Sequence, residues 1–587
     1  MHDDTQRAAG LDRLWMGLLG ALAGAAAWGL VAHFDGSRLM LGLMALVFGT
    51  FGVFFALSGP ARLGQAAAAA VALVLPATLL FLWASFRFAG VADFLDSPAA
   101  VAAFVAIVTV GTPFAAAQLQ WRGGWRDYAT LFSITWTIIL RYGLAWLFTG
   151  VFWLLLILAD QLLRIVGLEF IGDLVEIDWV PFTLTGAALG VALAVVHELR
   201  DTLSPVLVVR LLRVLLPPVV AVVAIFLVAV PVRGLSGLFG SLSAAATLMA
   251  VTVALLTLVT LVVDRDDPAA ARAGLMRGCA MAGALLVPLL AGLALAAVLI
   301  RVAQYGWTPD RVTAAAAALV LVIYGIGYAG AVLLRAGWMA RLREVNLWMA
   351  LVTIGVSALW LTPVLNPQRI ATDSQVARFA SGATPAAHLP LYEMAHDWGV
   401  AGARGIEELA AMADHPERGE LVALIEAARA ASYRDGYLRA TRGVAEAELR
   451  QELRAAMPVR PTGARLPEDA FAGMQEIELR RWLDACERPL PDGRPGCVAV
   501  AGDFRPAETA PQAMIVLLGD AKTATVYHAT FGAEDRPRIR QVFDPSAATW
   551  PQLQAADVAR LLDGDFAVGP SSLRSLRLGE VELTPAN

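Results

Sequence analysis

The run NLWMALVTIGVSALWLTPVLN (residues 346–366), followed at once by PQRIATDSQVARFA (367–380), decides the fold of this 587-residue chain. The first piece carries no charged side chain; the second holds Arg369, Asp373 and Arg378 within 14 residues. A charge-free helix of that length offers no face to water. A bilayer core, by contrast, needs about 20 apolar residues per helix, because every backbone N–H and C=O must be paired inside the segment. Asn366 therefore marks the exit from lipid. Composition on either side agrees: residues 1–366 hold 21 arginines and 19 acids, and residues 367–587 hold 24 basic and 31 acidic side chains. About 11% of the first part is charged against about 25% of the second, the ordinary soluble proportion. Together with 58% hydrophobic residues and a mean hydropathy of +0.63, this excludes one uniform globule, a disordered chain and a nucleic-acid binder.

Working back from Asn366, the same length criterion picks out eleven spans, near 14–34, 39–58, 64–85, 98–119, 142–166, 182–199, 214–233, 241–263, 276–300, 312–334 and 346–366. Fourteen arginines fall in the loops on the N-terminal side and six on the other, with Arg141 next to a span. Basic residues are retained in the cytoplasm, so the N-terminus is expected inside, and an odd number of spans exports the C-terminal part. The outer connection from Leu168 to Val180, with Glu169, Asp173, Glu176 and Asp178 and no base, agrees. The stretch 127–140 reads as a helix lying along the cytoplasmic face, with Trp136 and Arg141 at headgroup level, and Pro205 to Leu212 as a second. The first helix is expected to be retained, since it is full span length, too long for a signal peptide.

Ionisable groups within spans are the default functional candidates, because an unpaired buried charge is costly. Asp160 leads them, but Arg164 follows one turn later in the acid-before-base order that favours an i,i+4 ion pair. Pro76, Pro113, Pro217, Pro218 and Pro288 interrupt spans and are expected to be kinks repaired by neighbouring helices. Gly20 with Gly24, Gly186 with Gly190, and Gly325, Gly327 and Gly330 beside Tyr324 and Tyr328 suit close helix packing.

After Asn366 the text becomes that of a soluble domain. Residues 391–412, 417–431 and 444–456 carry apolar positions at helical spacing; a linker follows, then a helix at 467–485. Strands are expected at 497–501, 513–518, 523–529 and 538–543, with Gly519-Asp520-Ala521-Lys522 as a hairpin turn, a helix at 551–562 and a terminal strand near 573–583. The expected architecture is a polytopic α-helical membrane protein with a C-terminal periplasmic α+β domain. Its divisions are 1–366 (bundle), 367–460 (helical subdomain) and 461–587 (small α+β module). Cys486 and Cys497 flank the turn-forming Pro489-Leu490-Pro491-Asp492-Gly493 and are candidates for a disulfide, which requires an oxidising compartment. No metal-ligand spacing, nucleophile elbow, P-loop or dinucleotide fingerprint is present, so no catalytic group, metal or cofactor is expected.

Three motifs remain. Phe148-Thr149-Gly150-Val151-Phe152-Trp153-Leu154-Leu155-Leu156 opens the fifth span. Tyr305-Gly306-Trp307-Thr308-Pro309-Asp310-Arg311-Val312 forms the last outer loop. Leu365-Asn366-Pro367-Gln368-Arg369-Ile370, continuing through Ser374-Gln375-Val376-Ala377-Arg378, leaves the final span. Together they resemble the bacterial domain-of-unknown-function 4153 family of polytopic inner-membrane proteins. The resemblance implies a bundle with a C-terminal tail; the family has no established activity, so no catalytic residue is carried over from it. Physically, the outer-loop motif reads as a rigid elbow, with Trp307 at the interface, Thr308-Pro309-Asp310 as turn and N-cap, and Arg311 laid back on the headgroups. Alternatively Tyr305, Asp310 and Arg311 contact the outer domain or a ligand.

Three functions are weighed. A non-enzymatic inner-membrane protein embedded in the lipid bilayer, whose outer domain senses, scaffolds or binds an envelope protein partner, fits the absence of catalytic motifs. A permease or lipid exporter fits the span number and interrupted helices, although Asp160, Arg164 and Arg141 are few charges for it, and no small-molecule substrate is indicated. A lipid-linked glycosyltransferase needs acids on an extended first outer loop, which here is only Asp35-Gly36-Ser37-Arg38.

Overall fold

The computed structural model describes residues 2–58, 63–121, 123–198, 205–233, 242–506, 509–519, 523–532, 537–542, 553–569, 576–578 and 581–583. The chain forms two compact units, Met1–Leu421 and Val422–Asn587. Eleven of the described helices are long and apolar enough to cross a membrane. In chain order the first unit runs α1 (His2–Ala32), α2 (Arg38–Leu57), α3 (Leu63–Ser85), the short α4 (Val91–Leu95), α5 (Pro98–Gln120), α6 (Tyr128–Ile165), the short α7 (Phe170–Glu176), α8 (Trp179–Glu198), α9 (Pro205–Arg213) and α10 (Leu216–Arg233). It continues with α11 (Leu242–Val263), α12 (Gly274–Tyr305), α13 (Pro309–Leu333) and α14 (Trp338–Trp360). Side-chain caps start several of them: Ser37 accepts from the Met40 N–H, Asp127 from Thr130 and Thr308 from Arg311, pairing backbone donors that a helix start leaves without partners.

Two places differ from the sequence expectation. Residues 127–140 are not a separate surface helix: they are the first third of α6, one unbroken helix of 38 residues, about 57 Å long at 1.5 Å per residue. Length is the reason for the mistaken break: nearly forty residues are too many for one span and too few for two with a turn, a reading that leaves Arg141 at headgroup level. Here it is buried within α6. Because α6 is a single helix, the odd number of spans stands. At the seventh span, Pro217 and Pro218 occupy the first turn of α10, where a missing N–H costs nothing; Pro76, Pro113 and Pro288 are inside helices.

Among the described residues the bundle has two large apolar cores and a small third cluster of Ala245, Ala297, Val298 and Ala314. One large core is built mainly from α1, α2, α3, α5 and α8, with Val312 of α13 and Trp360 of α14, the other from α9 to α14. Helix α6 serves both, giving Ala145 to the first and Phe132 to the second. The tightest seam joins α1 to α8. A Cβ placed on Gly20 would lie 2.0 Å from the Gly186 carbonyl oxygen, and one on Gly190 would lie 2.1 Å from that of Met16. Only glycine admits backbones this close.

After α14 the chain forms α15 (Pro367–Ala380), α16 (Leu391–His396), α17 (Gly399–Ala410) and the start of α18 (Arg418–Ala430). The helix expected at 391–412 is broken at Gly399, whose φ of 56° is left-handed. Residues 367–421 belong to the same compact unit as the bundle, so compactness does not divide the chain at 366/367.

The second unit contains α19 (Arg434–Ala456), β1 (Val459–Arg460), α20 (Glu476–Glu487), β2 (Cys497–Ala501), β3 (Gln512–Leu518), β4 (Thr523–Thr530), β5 (Arg538–Gln541), β6 (Leu553–Gln554), α21 (Ala555–Asp563), β7 (Leu576–Leu578) and β8 (Val581–Leu583). The sheet order is β1-β2-β3-β4-β5, with β6 on β4; β1 runs parallel to β2 and the other pairs are antiparallel. Side chains alternate between faces along a strand. Ala513, Ile515 and Leu517 therefore pack with α19 and α20, while Met514, Val516 and Leu518 pack with α21. Burial on both faces explains why these strands read as continuous apolar runs. Leu449, Leu453 and Met457 share a core with Trp482 and Ile515, so no compact boundary falls at 460/461. The helix expected from 467 begins at Glu476, where Gln475 and Glu478 form a reciprocal capping box. The β3–β4 hairpin forms, Gly519 N–H donating to Thr523 O at 2.8 Å; its residues 520–522, Phe543, and 573–575 and 579–580 of the expected terminal strand lie outside the described residues.

Candidate functional site

Between the two cores of the bundle lies a partly open cavity of about 1450 Å³, walled by α2, α5, α6, α11, α13 and α14. Small-molecule sites usually measure roughly 300–1,000 Å³, so this one has room for a larger occupant. It follows α14 from Asn346 to Trp360, about 21 Å at the helical rise. Among the described residues, no Asp, Glu, Lys, Arg or His lines it.

Its walls are less polar than their sequence suggests. Thr109, Thr112, Thr135, Thr257, Thr313 and Thr353 all face the cavity. Each, however, donates its hydroxyl to the carbonyl one turn earlier in its own helix, at 2.6–2.9 Å. These hydroxyls are committed to their own helices, which leaves the methyl groups as wall surface.

Polarity gathers at one end. On α6, Tyr128, Phe132 and Trp136 recur every four residues, so they stand on one face as an aromatic ladder with centroids 5.9 and 6.4 Å apart. From α14, Asn346 reaches into the same place. Its Oδ1 accepts from Tyr324 at 2.6 Å and from Tyr328 at 2.5 Å, and its Nδ2 donates to Tyr128 at 3.1 Å. Thr260 of α11 lies 2.7 Å from the Tyr328 hydroxyl. Tyr328 is fully buried behind the wall and holds Asn346, while Tyr128, Tyr324, Asn346 and Thr260 line the cavity. Three helices are thus tied through one carboxamide, and Tyr328 brings in a fourth through Thr260.

The charges close to this end are committed elsewhere. Arg343 donates to the carbonyls of Asp264 (3.1 Å) and Val263 (2.8 Å) and pairs with Asp267 at 2.7 Å. Arg213 pairs with Asp264 and donates to Leu261 O at 2.6 Å.

The residues singled out in the sequence are placed elsewhere. Asp160 and Arg164 form an ion pair at 2.8 Å. They sit about 27 Å along α6 from Tyr142, the last cavity-lining residue of that helix. Arg141 faces α8, its Nε donating to Leu193 O at 3.4 Å. Phe148, Val151, Leu154 and Leu155 of the first motif are on an exposed apolar face.

The other two motifs come together. Gln375 of α15 donates to both Tyr305 O and Trp307 O at 3.0 Å, and Arg378 donates to Gln304 O at 2.9 Å. Trp307 N–H donates to Ser374 Oγ at 3.3 Å. Arg311 donates back to Gly306 O at 2.8 Å and, with Arg301, lies over the Tyr305 ring; Asp310 is the acid of the first turn of α13. Gly306 has φ 75°, and a Cβ there would lie 2.8 Å from both Gln375 and Arg378. The loop is thus an elbow whose inside surface is filled by α15. Arg87 completes this end by donating to Trp360 O and Thr362 O, both at 2.6 Å. Burial pushes its guanidinium down to about 10, still cationic at neutral pH.

In the second unit Cys486 and Cys497 are bridged, S–S 2.08 Å. Among the described residues, no group of three His, Cys, Asp or Glu is placed to hold a metal. Sequence reading passed over Asn346, which it treated as the edge of a span, and gave Tyr324 and Tyr328 only a packing role. An asparagine in an apolar run with two tyrosines at i,i+4 on the preceding span was the available signal. Compared with known proteins, the chain matches no family model, no curated protein and no solved structure.

Proposed function

We propose that this is a non-enzymatic bacterial inner-membrane protein whose bundle binds and passes on a long-chain lipid, the exporter reading that the sequence ranked second. One observation carries it: a charge-free cavity of about 1450 Å³, following a membrane helix from Asn346 to Trp360, with the tyrosine–asparagine cluster at one end. An apolar tail gains by burial along such a wall, and the cluster gives it a direction. Asp160, Arg164 and Arg141 take no part in this reading, since none of them lines the cavity.

The Val422–Asn587 unit is the part offered to an envelope protein partner, with the N-terminus in the cytoplasm and this unit in the periplasm. The bias of arginines toward loops on the same side of the membrane as the N-terminus supports that orientation, and so does the Cys486–Cys497 bridge, which persists in oxidising compartments. Kinship with the domain-of-unknown-function 4153 proteins rests on the three sequence motifs alone.

The test is lipid analysis by mass spectrometry of full-length protein purified in neutral detergent. A lipid class enriched over the bulk membrane, and lost in an Ala250→Trp, Ala317→Trp double variant that fills the cavity, is the expected result. The same lipids at the same level in both proteins would end the proposal.

A further inference from the structure

We infer that the polar end of the cavity selects a lipid with an uncharged oxygen headgroup, a hydroxyl or a carbonyl, and rejects phosphate-bearing lipids. This rests on the lipid-cavity reading and adds the chemistry of the headgroup. The argument begins with what the cluster leaves unused. Asn346 Oδ1 is taken by two tyrosine hydroxyls, and one Nδ2 hydrogen goes to Tyr128. That leaves the Tyr128 hydroxyl hydrogen and the second Nδ2 hydrogen without an acceptor among the described residues, while the Tyr324 oxygen is engaged by Tyr328. Tyr128 and Asn346 line the cavity, so two donors face its interior. A hydroxyl or a carbonyl oxygen, which accepts, satisfies these donors.

A phosphate is excluded by charge. It would enter a site where no cation lines the wall, because Arg343 and Arg213 are committed to Asp267, Asp264 and main-chain carbonyls. Burying an anion without a counter-charge is far costlier than burying a hydroxyl that finds partners.

The experiment is displacement of a fluorescent diacylglycerol from the full-length protein in neutral detergent. The competitors are dioleoylglycerol, a long-chain quinone, and dioleoylphosphatidic acid, which carries the same acyl chains as the first. Dioleoylglycerol or the quinone is expected to compete at least about tenfold better than the phosphatidic acid; which of the two is stronger tells a hydroxyl from a carbonyl headgroup. Tyr128→Phe should weaken the better competitor about tenfold and leave phosphatidic acid unchanged. That variant is chosen because Asn346→Leu would strand two tyrosine hydroxyls in the core. Phosphatidic acid competing as well as dioleoylglycerol, in a manner still blocked by Ala250→Trp with Ala317→Trp, would overturn the headgroup assignment and keep the lipid cavity. An unchanged preference in Tyr128→Phe would overturn it too. Probe binding that the filled-cavity variant does not affect would overturn both readings.

Discussion

The seam between α1 and α8 and the space between the two cores both carry small residues, yet they do opposite things. In the seam, Gly20, Gly24, Gly186 and Gly190 remove every side chain at the crossing, and the backbones touch. In the space between the cores, alanines and threonines, interspersed with larger side chains such as Phe104, Trp136 and Leu256, face a gap that no neighbour fills. Small residues therefore close an interface only where the opposing helix is also stripped at the same level. The lesson is that a small-residue face specifies how near two helices can come, and the tyrosine–asparagine cluster specifies how far apart these four are held.

Four experiments can break or sharpen that contrast. The largest effect is expected for Gly186→Leu, whose Cβ would collide with the Gly20 carbonyl. It should cost about 3 kcal/mol or more, seen as lost expression or a collapsed melting transition in detergent; a protein that melts normally would show that the seam is slack. Gln375→Ala removes two hydrogen bonds to the Tyr305–Trp307 loop and should cost about 2 kcal/mol locally, read as faster hydrogen exchange at residues 304–308. Asp160→Asn breaks a partly exposed i,i+4 pair and should change stability by less than about 1 kcal/mol, with lipid content unaltered. A loss of lipid there would move the site to the far end of α6. Smallest of all, Ala317→Trp adds bulk at a position open to the cavity. The melting temperature should hold within the equivalent of about 0.5 kcal/mol, where the seam tolerates nothing.

The spans were legible in the sequence because lipid imposes its demand on each segment separately, before any packing. Strands β2, β3 and β4 were legible for a related reason, since burial on both faces turns each into a short apolar run between turns. Continuity of α6 was not legible. The burial of Arg141 depends on the Leu193 carbonyl, 52 residues away, and nothing local distinguishes that from a headgroup contact. The cavity was hidden for a deeper reason: it is defined by surfaces that fail to meet, and a sequence records only which residues are present. Of its polar end, the Tyr324–Tyr328 spacing was in plain view, whereas Tyr128 and Asn346 are joined across 218 residues.

Arg38, Arg87, Arg213, Arg343, Gln375 and Arg378 all donate to main-chain carbonyls in connections or helix ends far from them in sequence. A carbonyl is present whatever the residue, so the accepting segments are free to drift in identity while the donor positions are not. Random mutagenesis should therefore return a lopsided map, with single intolerant positions at the donors facing permissive stretches at 303–304 and 362–364 that nonetheless keep their shape.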